Sequence, residues 1–165
     1  MNVAIISDTH IPSRAQSIPG WARQYIREAD HVIHAGDFDS TKALADVRQL
    51  APRMTAVGGN MDPRGLDLPD VETVRLGGVT FVVTHGTGSR RGYEERVAGI
   101  VTEHAPDGPT VGVSGHTHEL MDTLVDGVRL LNPGSVTGAA PADEATMLTA
   151  DVSDGEIDVT VQRDS

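Results

Sequence analysis

Gly115-His116-Thr117-His118 follows the apolar run Thr110-Val111-Gly112-Val113-Ser114, so two imidazoles on alternate residues stand where a strand gives way to a loop. Such a pair alone is weak evidence of chemistry, since most histidines are simply solvated or packed. Repetition gives this one weight. Four upstream segments also run from an apolar stretch into a side chain able to bind metal. Val3-Ala4-Ile5-Ile6 leads to Asp8 and His10, and His31-Val32-Ile33-His34-Ala35 leads to Asp37. Met54-Thr55-Ala56-Val57 leads to Asn60, and Val79-Thr80-Phe81-Val82-Val83 leads to His85.

Strands this apolar suit central positions with a layer on either face. The intervening segments carry helical periodicity. Trp21, Ala22, Tyr25, Ile26 and Ala29 form a stripe preceded by Ser17 as N-cap and Pro19 in the first turn. Ala43, Leu44, Val47 and Leu50 follow a Ser40 cap, with Pro52 as the stop. Val97, Ile100 and Val101 mark a third helix from about Tyr93 to His104. Residues 63–69 read as irregular loop, and Gly77-Gly78 is a two-residue hairpin signal between residues 72–76 and 79–83. The remainder is strand-rich, with strands over residues 123–125, 128–131, 145–151 and 157–162 and turns at Asp126-Gly127 and Ser153-Asp154-Gly155. With no repeat or linker, the expectation is one domain over residues 1–165 of α/β class. Two mixed β-sheets would pack face to face with helices outside, a four-layer α+β arrangement whose strand ends gather along one edge.

Composition narrows the chemistry. The chain has no Cys, which excludes disulfides and thiolate ligands. No stretch approaches the roughly 20 apolar residues of a spanning helix, and Met1 leads directly into a strand, so a soluble cytoplasmic protein with no membrane partner is expected. The 24 acidic residues against 13 basic ones, with Lys42 the one lysine, give a net charge of −11. That is an ordinary solubilising surface or the surface of a protein from a salty cytoplasm. Either way it argues against binding duplex nucleic acid through a basic face.

Asp8, His10, Asp37, Asn60, His85, His116 and His118 are thus oxygen and imidazole donors, each just past an apolar strand. Donors held at strand ends are rigid enough for a two-metal centre, in which ions roughly 3.5–4 Å apart share a bridging carboxylate and a bridging water. Asp37 is the candidate bridge.

The motifs Asp8-x-His10, Gly36-Asp37, Gly59-Asn60-x-Asp62, His85-Gly86 and Gly115-His116-Thr117-His118 resemble, in order, those of the calcineurin-like metallophosphoesterase superfamily. The loop from Asn132 through Pro133-Gly134-Ser135 to Gly138, with Asp8-Thr9-His10-Ile11-Pro12, is similar to the small single-domain phosphodiesterase branch, which includes the metallophosphoesterase-like subunit of retromer. The resemblance implies that Asp8, His10, Asp37 and His118 hold one divalent ion and Asp37, Asn60, His85 and His116 the other. It implies Mn as first choice, with Ni, Fe, Co or Zn compatible with an all-N/O donor set. The implied reaction is hydrolysis of a small phosphodiester by in-line attack of a metal-bridging hydroxide, with Asp37, Asn60 and His85 catalytic and Asn60 contacting substrate; Arg14 reads as a solvated loop arginine or as a contact to the substrate phosphate. Homo-oligomer formation is left open.

Two positions depart from the resemblance. Many relatives carry His after the motif's Asn, where it protonates the leaving group; here the residue is Met61. General acid catalysis is worth ~10²–10⁴, so a modest rate and a preference for good leaving groups follow. Relatives also often carry a basic residue where Gly59 stands. His34 reads as a packed strand histidine, Asp62 as a carboxylate that orients a ligand or simply closes a turn, and Trp21 and Tyr25 as core; His31 and His104 carry no argued role. The competing class is a non-enzymatic interaction scaffold of the same fold with a vestigial metal pocket, which loss of the donors would favour. A nuclease of the superfamily is disfavoured by the acidic surface.

Overall fold

The first apolar run forms β1 (Asn2–Ile6), whose alternating side chains feed two different cores. Val3 and Ile5 point to one side, into a cluster with Ile33, Leu148, Phe81, Val83, Val113 and Leu131. Ala4 and Ile6 point to the other, against Ala22, Ile26, Leu44 and Val47. This is why β1 is apolar throughout, and the same demand falls on each strand that sits between layers.

The computed structural model describes residues 1–51 and 53–164. After β1 come α1 (Gly20–Glu28), β2 (His31–His34), α2 (Thr41–Leu50) and β3 (Met54–Ala56). Then follow β4 (Val71–Leu76), β5 (Val79–Thr84), α3 (Tyr93–His104), β6 (Thr110–Val113), β7 (Leu120–Val125), β8 (Val128–Pro133), β9 (Thr146–Ser153) and β10 (Glu156–Arg163). One five-stranded sheet has the order β10-β9-β1-β2-β3 and the other β4-β5-β6-β8-β7. Both are mixed: β1, β2 and β3 run parallel, as do β5, β6 and β8, while β9, β10, β4 and β7 join antiparallel. α1 and α2 cover the outer face of the first sheet, and α3 covers the second through Val97, Ala98 and Val101 against Val82 and Leu130. The inner cluster fills the space between the sheets, so Phe81→Ala there is expected to cost about 3–5 kcal/mol. Two packed mixed sheets with flanking helices are therefore what the chain forms.

Gly77 and Gly78 have φ of +58° and +84°, the pair of positive values that a type I′ hairpin turn requires. Ser40 caps α2 as read, accepting from the Ala43 N–H. Ser17 does not cap α1. Pro19 holds the N-cap position without a side-chain bond, because its fixed φ already presets the first turn. The Pro52 stop lies outside the described residues. The loop at residues 63–69 contains a 3-10 turn, Arg64–Leu66, that buries Leu66 under the first sheet's outer cluster. β7 begins at Leu120, three residues before the apolar signal at Thr123, because an edge strand with one solvated face tolerates Asp122, here paired with Arg129. Ile100 is half-buried, at the margin of the α3 stripe. Among the described residues no helix is long and apolar enough to cross a membrane.

Candidate metal centre

The seven donors sit beyond the C-terminal ends of the parallel strands: Asp8 and His10 after β1, Asp37 after β2, Asn60 after β3, His85 after β5, and His116 and His118 after β6. Parallel strands deliver their carboxyl ends to the same edge, and ligands commonly bind there. The turns are tight. Asp8, His10, Asp37, His116 and His118 all have φ between +46° and +74°, a conformation that costs a non-glycine residue energy and persists only when its surroundings enforce it.

Asp8 lies at the middle. Its Oδ2 accepts from Ser7 Oγ at 2.7 Å and from the His116 N–H at 3.0 Å. Its Oδ1 is buried with no hydrogen-bond partner, yet His118 Nε2 is 3.2 Å away, His10 Nε2 3.5 Å and His85 Nε2 3.8 Å. Asp37 Oδ2 is 3.1 Å from His85 Nε2 and 3.4 Å from His10 Nε2. Asp8, His10 and His118 thus form one ligand group and Asp8, Asp37 and His85 another. Asp37, read from sequence as the bridge, does face both groups, but Asp8 does so as well.

The backs of the rings fix which nitrogen faces the centre. His85 Nδ1 donates to Ala35 O at 2.7 Å and His118 Nδ1 to Ala139 O at 2.8 Å, turning both Nε2 atoms to the centre. His10 Nδ1 is held at 2.9 Å by the Asp39 carboxylate, which Ser13 Oγ also meets. His10 Nε2 and His118 Nε2 then face each other at 3.2 Å. On the outer side, His116 Nε2 donates to Gly88 O at 2.7 Å and turns Nδ1 to Asn60 Oδ1 at 3.2 Å, while His85 Nε2 stands 3.1 Å from the same oxygen. Ring nitrogens and carboxylate oxygens converging on one another, with an orphaned buried oxygen among them, call for positive charge between them, from protons or a metal ion. An all-N/O set of this kind fits divalent transition-metal ions.

In the metal-free protein protons take that role. Burial alone would lower the His85 pKa, but the Asp37 and Asp8 carboxylates outweigh it and hold it at about 9. Burial would raise the Asp8 carboxyl, yet His10 and His118, with His85, hold it well below the usual carboxylate range. Asp37 is lowered in the same way, against its burial, by His85 and the Met61 N–H.

Asp62 is the residue whose role spacing understates. Its carboxylate accepts from the N–H groups of Asp37, Phe38, Asp39 and Gly59 at 2.7–2.9 Å, so it ties the β2 and β3 loops together. Met61 N–H donates to Asp37 Oδ1 at 2.8 Å while its side chain is exposed at the rim. A Cβ on Gly59 would fall 2.7 Å from Asp37 N, so no side chain, basic or otherwise, fits there without displacing Asp37. His34 is the packed histidine expected. It stacks on Phe38, accepts from Gly36 N–H through Nδ1 and donates from Nε2 to Thr9 Oγ1, and complete burial lowers its pKa to about 3. Arg14 donates to Ala140 O at 2.8 Å, one residue from the carbonyl that holds His118. Missed from sequence were Asp39 and a buried network under the His116 loop. There Tyr93 Oη contacts Ser114 Oγ and Gly115 O, and Asn132 Nδ2 donates to Gly115 O and Thr117 Oγ1.

Residues 1–155 match the calcineurin-like phosphoesterase superfamily domain. A probable metallophosphoesterase of Methanothermobacter thermautotrophicus is 34% identical over 154 residues, covering 90% of this chain and 84% of the relative. A Methanocaldococcus jannaschii protein named as a phosphodiesterase is 27% identical over 153 residues, covering 84% of this chain and 86% of that one. In fold alone, the chain is similar to Chaetomium thermophilum Vps29, with a TM-score of 0.80 at 19% identity over 99% of this chain and 97% of that one.

Proposed function

Since the chain belongs to the calcineurin-like phosphoesterase superfamily, we propose that it is a dinuclear metal-dependent phosphodiesterase acting on small phosphodiesters. The observation that carries this reading is Asp8 Oδ1, a buried carboxylate oxygen without a hydrogen-bond partner and ringed by three imidazole nitrogens. Removing a charge from water without compensation costs several kcal/mol, so the arrangement calls for a counter-charge at that point. Asp8, His10, Asp37 and His118 would hold one cation, and Asp37, Asn60, His85 and His116 the other, with Mn the first candidate. Divalent ions, when bound, supply Lewis acidity that brings water toward ionisation near neutral pH and neutralises phosphoryl oxygens.

The chain's own groups do the rest. Ala35 O, Ala139 O and Asp39 fix the rings of His85, His118 and His10 so that no rotation is needed when substrate arrives. Asn60, exposed at the rim, would contact a phosphoryl oxygen, and Arg14, whose Nη1 donates to Ala140 O, would meet the substrate from the His118 side. Met61 offers no proton to the leaving group, so the ester oxygen must depart unassisted from that position, which favours diesters with acidic leaving groups. The scaffold alternative is weakened by the presence of all seven donors.

The test is a panel of phosphomonoesters, diesters and cyclic nucleotides incubated with chelator-treated protein plus each candidate cation. Metal-dependent turnover is expected on activated diesters ahead of monoesters. Failure to turn over any of them with any cation would move the assignment to the scaffold.

A further inference from the structure

Beside the centre lies a cavity of about 410 Å³. Asn60 and His85 form the wall shared with the centre, Val71 and Ile100 supply aliphatic surface, and Asp70 and Arg96 are the charged residues. Arg96 stands in the first turn of α3. Its Nη2 donates to Gly86 O at 3.0 Å and Ser89 O at 2.9 Å, which anchors the guanidinium to the loop that follows His85. The ring of Tyr93 lies beneath it, 5.7 Å from ring centroid to Cζ.

What Arg96 lacks is an anion. Among the described residues no carboxylate lies within ion-pair distance of Arg96, a lack it shares with most of the arginines; what sets it apart is the burial of its guanidinium. Its Nε is buried without a hydrogen-bond partner, and its Nη1 donates to no described protein group and is open to solvent. In a chain of net charge −11 a half-buried guanidinium could have been neutralised from the protein itself. It is instead held by two carbonyls in a fixed orientation at a cavity that begins at the proposed ligands. A planar guanidinium immobilised this way is pre-organised for an oxyanion, and a phosphate answers its charge most fully.

We propose that this cavity receives the organic substituent of the substrate and that Arg96 selects substituents carrying a second phosphate group. The inference rests on the phosphodiesterase reading. Arg96 is then a specificity-determining residue: it contacts the part of the substrate that does not react, and it discriminates because an analogue lacking that phosphate leaves the guanidinium without a counter-ion.

The experiment compares thymidine 5′-(p-nitrophenyl phosphate) with the same diester bearing a 3′-phosphate. Scissile bond and leaving group are identical, so the ratio of kcat/KM values reads the distal group alone. The ratio is expected to favour the 3′-phosphorylated diester about ten-fold in the unmodified protein, the scale of one charge-assisted hydrogen bond. It should collapse toward unity in Arg96→Gln whatever the absolute rates, while Arg96→Lys, which keeps the charge, should retain part of the preference. In parallel, thymidine 3′,5′-bisphosphate should bind the metal-loaded protein more tightly than thymidine 5′-monophosphate, and Arg96→Gln should abolish the difference. A ratio near unity in the unmodified protein, or one that survives in Arg96→Gln, overturns the proposal. If neither diester is turned over, the phosphodiesterase reading fails, and the two nucleotide affinities alone decide whether Arg96 recognises the second phosphate.

Discussion

The two halves of the candidate metal centre follow one chemical rule with unequal support. On the inner side Asp8, His10 and His118 are 0%, 1% and 7% exposed, and the groups behind the rings, Asp39 and Ala139 O, belong to packed loops. On the outer side Asn60 is exposed and His116 half-buried, and the carbonyl behind His116 belongs to Gly88 in an exposed loop with φ of +126°. His85 and the two carboxylates stand between. A closed half is suited to keeping an ion, and a half with exposed ligands is suited to exchanging contacts with substrate. The fold assigns rigidity to the one and access to the other.

The largest expected effect tests whether the halves are truly joined. Asp37→Asn removes the charge of the ligand that the two proposed ion sites share, so both ions should be lost together, with metal-dependent turnover falling on the order of 10³-fold. Retention of one tightly bound ion would separate the halves. Next, His118→Ala should weaken metal uptake more than His116→Ala, by about ten-fold in a titration of chelator-treated protein. Equal losses would erase the asymmetry.

Asp62→Ala breaks four backbone hydrogen bonds at once and should lower unfolding free energy by about 3 kcal/mol in a denaturant titration, with Asn60 and Asp37 both displaced. Protons provide a subtler probe. In metal-free protein the His85 pKa is held near 9, above the 6.5 of a free imidazole, so the stability it lends is complete below 6.5 and is lost as pH rises through about 9. Asp8 acts oppositely: its depressed pKa gives stability that is present above 3.8 and lost as pH falls through the acid range. Metal-free protein should therefore melt at a lower temperature at roughly pH 9.5 than at roughly pH 6. Metal uptake near neutral pH should release the His85 proton, visible as a buffer-dependent heat. The smallest effect is expected at the rim, where Met61→His should raise turnover on poor leaving groups about ten-fold while leaving activated diesters nearly unchanged.

Most of this architecture could be read from the chain because strands buried on both faces must be apolar throughout, and the donors follow those runs directly. Asp8, Asp37 and His85 could be placed on that ground alone. What escaped acts across distance in sequence or through the backbone. Asp62 works by accepting from N–H groups on a loop more than twenty residues upstream, which no spacing rule reports. Asp39 was visible in Gly36-Asp37-Phe38-Asp39, but only the fold turns it toward His10. β7 was read short because its solvated face interrupts the apolar signal, and the Ser17 cap failed because Pro19 needs no side-chain partner to begin a helix.

The most direct measurement is a calorimetric titration of chelator-treated protein with Mn²⁺, with bound metal counted by elemental analysis. Two ions per chain taken up in two steps, the tighter one lost in His118→Ala and the weaker one in His116→Ala, is the expected result. Uptake of no ion, or of a single ion insensitive to both substitutions, would contradict the account.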